Sequence, residues 1–221
     1  MTTILGIDEA GRGSVIGPMY IGGVVIDEKD SAKLKAMGVK DSKLLTPEQR
    51  EALYPQIKKL AKDHVVLKVS AKEIDEMRKT TNLNRIEAEK MAEIIKAMKA
   101  DKAYVDAPQV STEKFKNILL ALAKNRTEII AENHADLKYP VCSAAAILAK
   151  VERDRDVERI KKIVGFDFGV GYPHDQRSID FVKKALKEEK YLEFIRHSWI
   201  TVSNIKNEKE QKTLKEYKRN K

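Results

Sequence analysis

The 221 residues carry 43 Lys and Arg against 34 Asp and Glu, a formal charge of +9, and 42% of them are hydrophobic. That apolar fraction excludes global disorder and suits one large domain or a main domain with a smaller appendage. No apolar run approaches the ~20 residues that cross a bilayer, and the basic balance favours a polyanionic partner.

The first strand is expected at Ile4–Ile7, with Gly11 and Gly13 punctuating its exit. Gly17-Pro18 introduces a second at Met19–Ile26, close enough to pair with the first as a hairpin or meander. Thr46-Pro47-Glu48-Gln49 is a capping box with Pro at the first helical position, opening a helix to about Lys62. Val65–Val69 alternates like a strand, and Ser70 with Glu73 caps a short helix. Met91, Ile94, Ile95 and Met98 recur at helical spacing within Asn84–Ala100. Ala103–Asp106 reads as a strand, Ser111–Lys124 as a helix with Phe115, Ile118, Leu119 and Leu122 on one side, and Thr127–Ala131 as a strand. Val141–Ile163 predicts a long helix whose small, apolar first half is buried, lone Cys142 included. Glycines at 165, 169 and 171 form a loop, followed by short helices at Ser178–Glu188 and Tyr191–His197. Alternating strands and helices followed by helices alone argue for an α/β protein: a mixed sheet flanked by helices, with a C-terminal helical extension. The expected division is 1–164 for the main domain, 165–202 for a helical cap, and 203–221 for a basic tail too polar to pack. A single cysteine and an N-terminus without a leader pattern point to a cytoplasmic protein.

Gly6-Ile7-Asp8-Glu9-Ala10-Gly11-Arg12-Gly13 is the most informative stretch. Adjacent acids at a strand end are costly unless a cation sits there, and oxygen donors suit Mg²⁺ or Mn²⁺. Asp106 closes an apolar run and Asp136 lies in the segment after another, positions from which a carboxylate can be presented to a metal. Neighbours in a strand face opposite sides, so Asp8 and Glu9 both reach one site only if the strand twists there or one offers its backbone carbonyl. The Gly11-Arg12-Gly13 backbone can approach a sugar or phosphate closely, with Arg12 adding a fork of donors.

This octet resembles the N-terminal motif of the type 2 ribonucleases H, in an archaeal-like version, and the resemblance continues in order down the chain. Lys40-Asp41-Ser42-Lys43, Tyr104-Val105-Asp106, Ala135-Asp136, Tyr139-Pro140-Val141, Ser143 to Lys150, Arg153-Asp154, Gly171-Tyr172-Pro173 and Arg196-His197-Ser198-Trp199 match successive family motifs. Ser14, Ala146 and Val170 depart from the usual residues without removing an acid. The resemblance implies a ribonuclease H-like fold and Asp8, Glu9, Asp106 and Asp136 as ligands for two divalent ions. It also implies cleavage of RNA in RNA–DNA hybrids and incision 5′ of single ribonucleotides in duplex DNA, leaving 3′-hydroxyl and 5′-phosphate ends. Gly11, Arg12 and Gly13 would read the ribose 2′-OH, which alone distinguishes the sugars; Tyr172 would stack on the deoxyribose 3′ of the ribonucleotide. Lys43 would meet a phosphate, while Lys150 and Arg153 could steer the backbone or pair with Asp154. Asn82-Leu83-Asn84 fits either an archaeal variant of the pattern or helix capping.

His174 and His197 stay outside the catalytic set, since the metal mechanism needs no imidazole. Gln211, Leu214 and Tyr217 form a Gln-x-x-Leu-x-x-aromatic pattern resembling peptides that dock on DNA sliding clamps. A monomer is expected. The competing class is a non-catalytic basic nucleic-acid-binding module on the same fold.

Overall fold

The computed structural model describes residues 1–40, 42–108 and 111–208. Asp41 of the Asp-Ser-Lys motif and the clamp-like Gln211, Leu214 and Tyr217 lie outside the described residues. The sheet comprises β1 (Thr3–Ala10), β2 (Met19–Asp27), β3 (Asp63–Val69), β4 (Lys102–Asp106) and β5 (Glu128–Glu132), in the order β3-β2-β1-β4-β5. The β1–β2 hairpin and β3 run antiparallel, whereas β4 and β5 join β1 in parallel. This is the mixed sheet expected from the sequence. Its β4 neighbour is the long-range element: it puts Asp106 at the same sheet end as Asp8 and Glu9.

The helices are α1 (Ser31–Ala36), α2 (Pro47–Leu60), α3 (Ala71–Met77), α4 (Leu83–Met98), α5 (Thr112–Ala123), α6 (Ala135–Lys138), α7 (Pro140–Val164) and α8 (Gln176–Glu188). Both capping boxes form as the sequence predicts, Thr46 with Gln49 and Ser70 with Glu73. The α4 and α5 faces cover one side of the sheet, burying Ile86, Met91, Ile95, Phe115 and Leu119 against Leu5, Ile7, Val105 and Ile129. The first half of α7 covers the other side with α1 and α2, and its residues 141–149 are all buried. The close approach of this helix to the sheet shows at two strand glycines. A Cβ on Gly6 would fall 2.2 Å from the Val141 carbonyl, and one on Gly22 2.3 Å from that of Ala145. The helix backbone therefore rests on the strands, where only small residues fit.

The second half of α7 leaves the sheet and carries the cap. Val157, Ile160 and Val164 pack with Phe168, Phe181, Val182, Ile195 and Val202, and with Val15 and Ile16 from the loop after β1. Two expectations need correction here. Tyr191–His197 is not a helix: a single 3₁₀ turn at Leu192–Phe194 gives way to Ile195, which bridges to Ile16. The expected tail begins inside structure, because residues 200–208 are helical and Ile205 packs partly buried on the cap core.

Candidate active site

Asp8 and Glu9 lie in uninterrupted β1–β2 pairing, opposite Gly22 and Ile21. Their side chains consequently do take opposite faces. Asp8 shares the α7 face with Gly22, whereas Glu9 points to the α4 side, where it feels Glu87. Neither a bulge nor a broken register reconciles them; both reach the charge of Asp106 at the end of adjacent β4. Asp136 returns from β5 on the short α6 and is 4% exposed.

The four acids are desolvated and mutually repelling. Burial, then the charges of Glu9 and Asp106, pushes Asp8 well above the ordinary carboxylate range, although its carboxylate accepts the Glu9 N–H at 2.6 Å. Burial, then Glu87 and Asp106, lifts Glu9 to about 8. Burial also raises Asp106, against the Ala135 N–H that donates to it at 2.8 Å. Glu9 Oε2 and Asp136 Oδ1 are buried without hydrogen-bond partners. Lys43 Nζ approaches Asp136 at 3.9 Å from an exposed position. Among the described residues no three acids close into a ready coordination shell. The set is nevertheless all hard oxygen with orphaned acceptors, which fits divalent Mg²⁺ or Mn²⁺. Cys142 offers no competing soft ligand, because burial holds its thiol protonated and it donates to the Tyr104 carbonyl.

Beside the acids stands the Gly-rich turn. Gly11 has a φ of +81°, and Ser14 closes the turn by donating its hydroxyl to the Gly11 carbonyl at 3.1 Å. A Cβ on Gly13 would sit 3.7 Å from the Tyr172 ring, so turn and ring are neighbours. Val15 and Ile16 donate backbone bonds to the Gly171 carbonyl, fixing that proximity. The ring also covers the Arg153 guanidinium at 4.9 Å and stacks with His174.

The cations are placed differently from a row of phosphate contacts. Arg12 turns inward: its Nε pairs with Glu87 at 2.7 Å and its Nη2 donates to Asn84 at 2.6 Å. Arg153 is buried and bonds the Val170 carbonyl and Asp154, to which Lys150 and Arg50 also pair. Of the two roles open to Lys150 and Arg153, the structure displays pairing with Asp154. Asn82 caps α4, while Asn84 holds Arg12. His197 Nε2 lies 3.1 Å from the Leu192 carbonyl, and Trp199 packs at the junction of the cap and the α4 side. Sequence reasoning missed Glu87 as the partner of Arg12. A charged residue on the buried face of α4 was the one available signal for Glu87.

A mixed sheet with acids converging at one strand end, beside a Gly-rich turn and a ring, defines a ribonuclease H-like enzyme. The ribonuclease HII family model matches residues 5–202. Ribonuclease HII of Methanosarcina acetivorans is 46% identical over 217 residues, 94% of this chain and 97% of that protein. The Pyrococcus horikoshii ribonuclease HII is 42% identical over 97% of this chain and 98% of its own. The chain belongs to the ribonuclease HII family. Solved structures agree: the P. horikoshii ribonuclease H2 superposes with a TM-score of 0.86 at 41% identity, covering 94% of this chain and 98% of that one. Ribonuclease HII from Archaeoglobus fulgidus, solved in complex with PCNA, gives 0.84 at 42% identity, over 91% and 96%. A ribonuclease HIII bound to Mn²⁺ shares the fold alone, at 19% identity and a TM-score of 0.73. No described helix is long and apolar enough to cross a membrane.

Proposed function

We propose that this protein is an endoribonuclease that hydrolyses the RNA strand of RNA–DNA hybrids and incises 5′ of single ribonucleotides in duplex DNA, leaving 3′-hydroxyl and 5′-phosphate ends. The observation that carries the reading is the convergence of Asp8, Glu9, Asp106 and Asp136 in a desolvated, self-repelling set with orphaned oxygens. A merely nucleic-acid-binding module would gain nothing from burying negative charge where its polyanionic ligand must lie. The four carboxylates would hold two Mg²⁺ or Mn²⁺ ions, which when bound activate the attacking water and steady the leaving oxygen. Gly11, Arg12 and Gly13 offer backbone to the ribose; Tyr172, braced on Arg153, offers a ring to the next sugar. Lys43, exposed at the rim beside Asp136, can meet a phosphate, Lys150 can steer the nucleic-acid backbone from its place beside Asp154, and Arg153 braces the Tyr172 loop through the Val170 carbonyl while adding positive charge there.

The reading extends to a cytoplasmic monomer whose segment Gln211, Leu214 and Tyr217 docks on a sliding clamp, as the PCNA complex of the A. fulgidus relative suggests. It divides the chain into a catalytic body, 1–164, and a cap, 165–202. The test is incubation with a duplex bearing one embedded ribonucleotide in Mg²⁺ or Mn²⁺. Incision on the 5′ side is expected; binding without cleavage in either ion would leave only the binding-module reading.

A further inference from the structure

Arg196 is fully buried and has no ion-pair partner among the described residues. Its guanidinium donates to three neutral carbonyls: Nη2 to Gly11 at 2.7 Å, Nη1 to Arg12 at 2.8 Å, and Nε to Gly17 at 2.9 Å. The Trp199 ring covers it at 4.9 Å, and its own amide donates to the Val15 carbonyl. Asp75 and Glu87 favour its charge only from beyond ion-pair distance, and a buried cation with no carboxylate in contact is costly, tolerated only when its donors are used. All three of its nitrogens are committed here, and two of them to consecutive residues of the Gly-Arg-Gly turn.

The geometry has a consequence for the other edge of those peptides. In a planar trans peptide the carbonyl and the following N–H point in opposite directions. With the Gly11 and Arg12 carbonyls drawn inward to Arg196, the N–H groups of Arg12 and Gly13 point away from it. Neither amide donates to another group among the described residues. We propose that Arg196, from the cap, is a positioning residue that sets the Arg12 and Gly13 amides as a two-donor site for the ribose of the substrate. This rests on the reading of the turn as the ribose sensor. The cap is then part of substrate discrimination and not only a cover for the second half of α7. Removing the guanidinium frees both peptide planes to rotate, and the turn no longer presents its donors together.

The experiment compares wild type, Arg196→Ala, Arg196→Lys and Val202→Ala on two duplexes, one all-DNA and one with a single embedded ribonucleotide. Binding is read with Ca²⁺ in place of the catalytic ions, and kcat and KM are read with Mn²⁺. Arg196→Ala should lose about tenfold of the preference for the ribonucleotide duplex, the scale of one or two hydrogen bonds to the substrate, and should still bind all-DNA duplex. Arg196→Lys, which keeps the cation but cannot span three carbonyls, should fall between wild type and Ala; it carries the test if Ala does not fold. Val202→Ala loosens the cap core away from the turn and should keep the preference. Full discrimination in Arg196→Lys and Arg196→Ala, or equal loss in Val202→Ala, overturns the positioning role. If the wild type does not distinguish the two duplexes, the ribose-sensor reading itself falls, and the inference with it.

Discussion

Arg12 faces inward, its Nε 2.7 Å from the Glu87 carboxylate of α4, so the central residue of the Gly-rich turn is anchored by a helix some 75 residues away in sequence. Glu87 is fully buried and its side chain is lifted to about 7 by desolvation, even with Arg12 pulling the other way. Arg12 keeps partial exposure, so water can rehydrate it if its partner is lost. Glu87→Ala should therefore cost about 1–2 kcal/mol, below the value for a pair buried on both sides. Urea unfolding gives the number, and an unchanged midpoint would mean the pair contributes nothing net.

The raised carboxylates fix the sign of the pH dependence. A folded state that holds protons more tightly than the unfolded chain loses stability as pH rises between the two pKa values. Glu9 goes from an ordinary 4.5 to about 8 and Glu87 to about 7, with Asp8 and Asp106 moved the same way. In EDTA the melting temperature should fall between about pH 4.5 and 8. Mn²⁺ should raise it more at pH 8 than at pH 5, because bound ions stabilise the ionised acids. A melting temperature that climbs over this range in EDTA contradicts the self-repelling site.

Asp8→Asn and Asp106→Asn should each lower cleavage by at least ~100-fold, since each takes one charge from the ion-holding set. Binding of a hybrid should survive, because the dispersed Lys and Arg supply most of the affinity through counterion release. Asp8→Asn should also flatten the pH-dependent loss of stability, since Asp8 is the acid that Glu9, Asp106 and Asp136 all push upward. Activity within a few-fold of wild type in either variant removes that residue from the metal set.

Local signals carried well from sequence to structure, and long-range ones did not. Thr46 with Gln49 and Ser70 with Glu73 cap helices through bonds spanning three residues, so the motif contains its own partner. The Ala-rich start of α7 announced burial, and the Gly6 and Gly22 contacts explain it. Arg12 reads in sequence as a fork aimed at substrate; its partners Asn84 and Glu87 belong to a helix whose packing no local pattern encodes. Arg153 appears on a charged helix face, yet α7 passes beneath the Gly171-Tyr172 loop there and buries it. Tyr191–His197 has helical composition, but Ile195 finds a partner in Ile16, and that tertiary bridge prevails over propensity.

Tyr172 lies over Arg153 and against Gly13, which leaves its ring beside the turn. Stacking of a nucleotide on an aromatic ring is worth ~1–3 kcal/mol. Tyr172→Ala should lower incision at an RNA–DNA junction by roughly 5- to 100-fold and cutting of a uniform hybrid by less, because only the junction offers the deoxyribose assigned to the ring. Initial rates on the two substrates decide it. Equal losses would reduce Tyr172 to a prop for its loop.

The tail tests the clamp proposal. Truncation after Ser203 would remove Ile205 from the cap core, so the informative cut comes after Glu208. Residues 209–221 carry six Lys and Arg against two Glu, net +4, and include Gln211, Leu214 and Tyr217. The shortened protein should melt at the same temperature and keep its single-turnover cleavage rate, since every core residue described precedes the cut. Its DNA binding should weaken modestly and depend less steeply on salt, because fewer counterions are released. Leu214 and Tyr217, three residues apart, would share one side of a short helical turn, the spacing by which a docking peptide presents paired apolar anchors. Titration of both forms against the sliding clamp of the same organism should show binding by the full chain alone. Equal binding by both forms, or by neither, makes the motif a coincidence and the tail a basic arm.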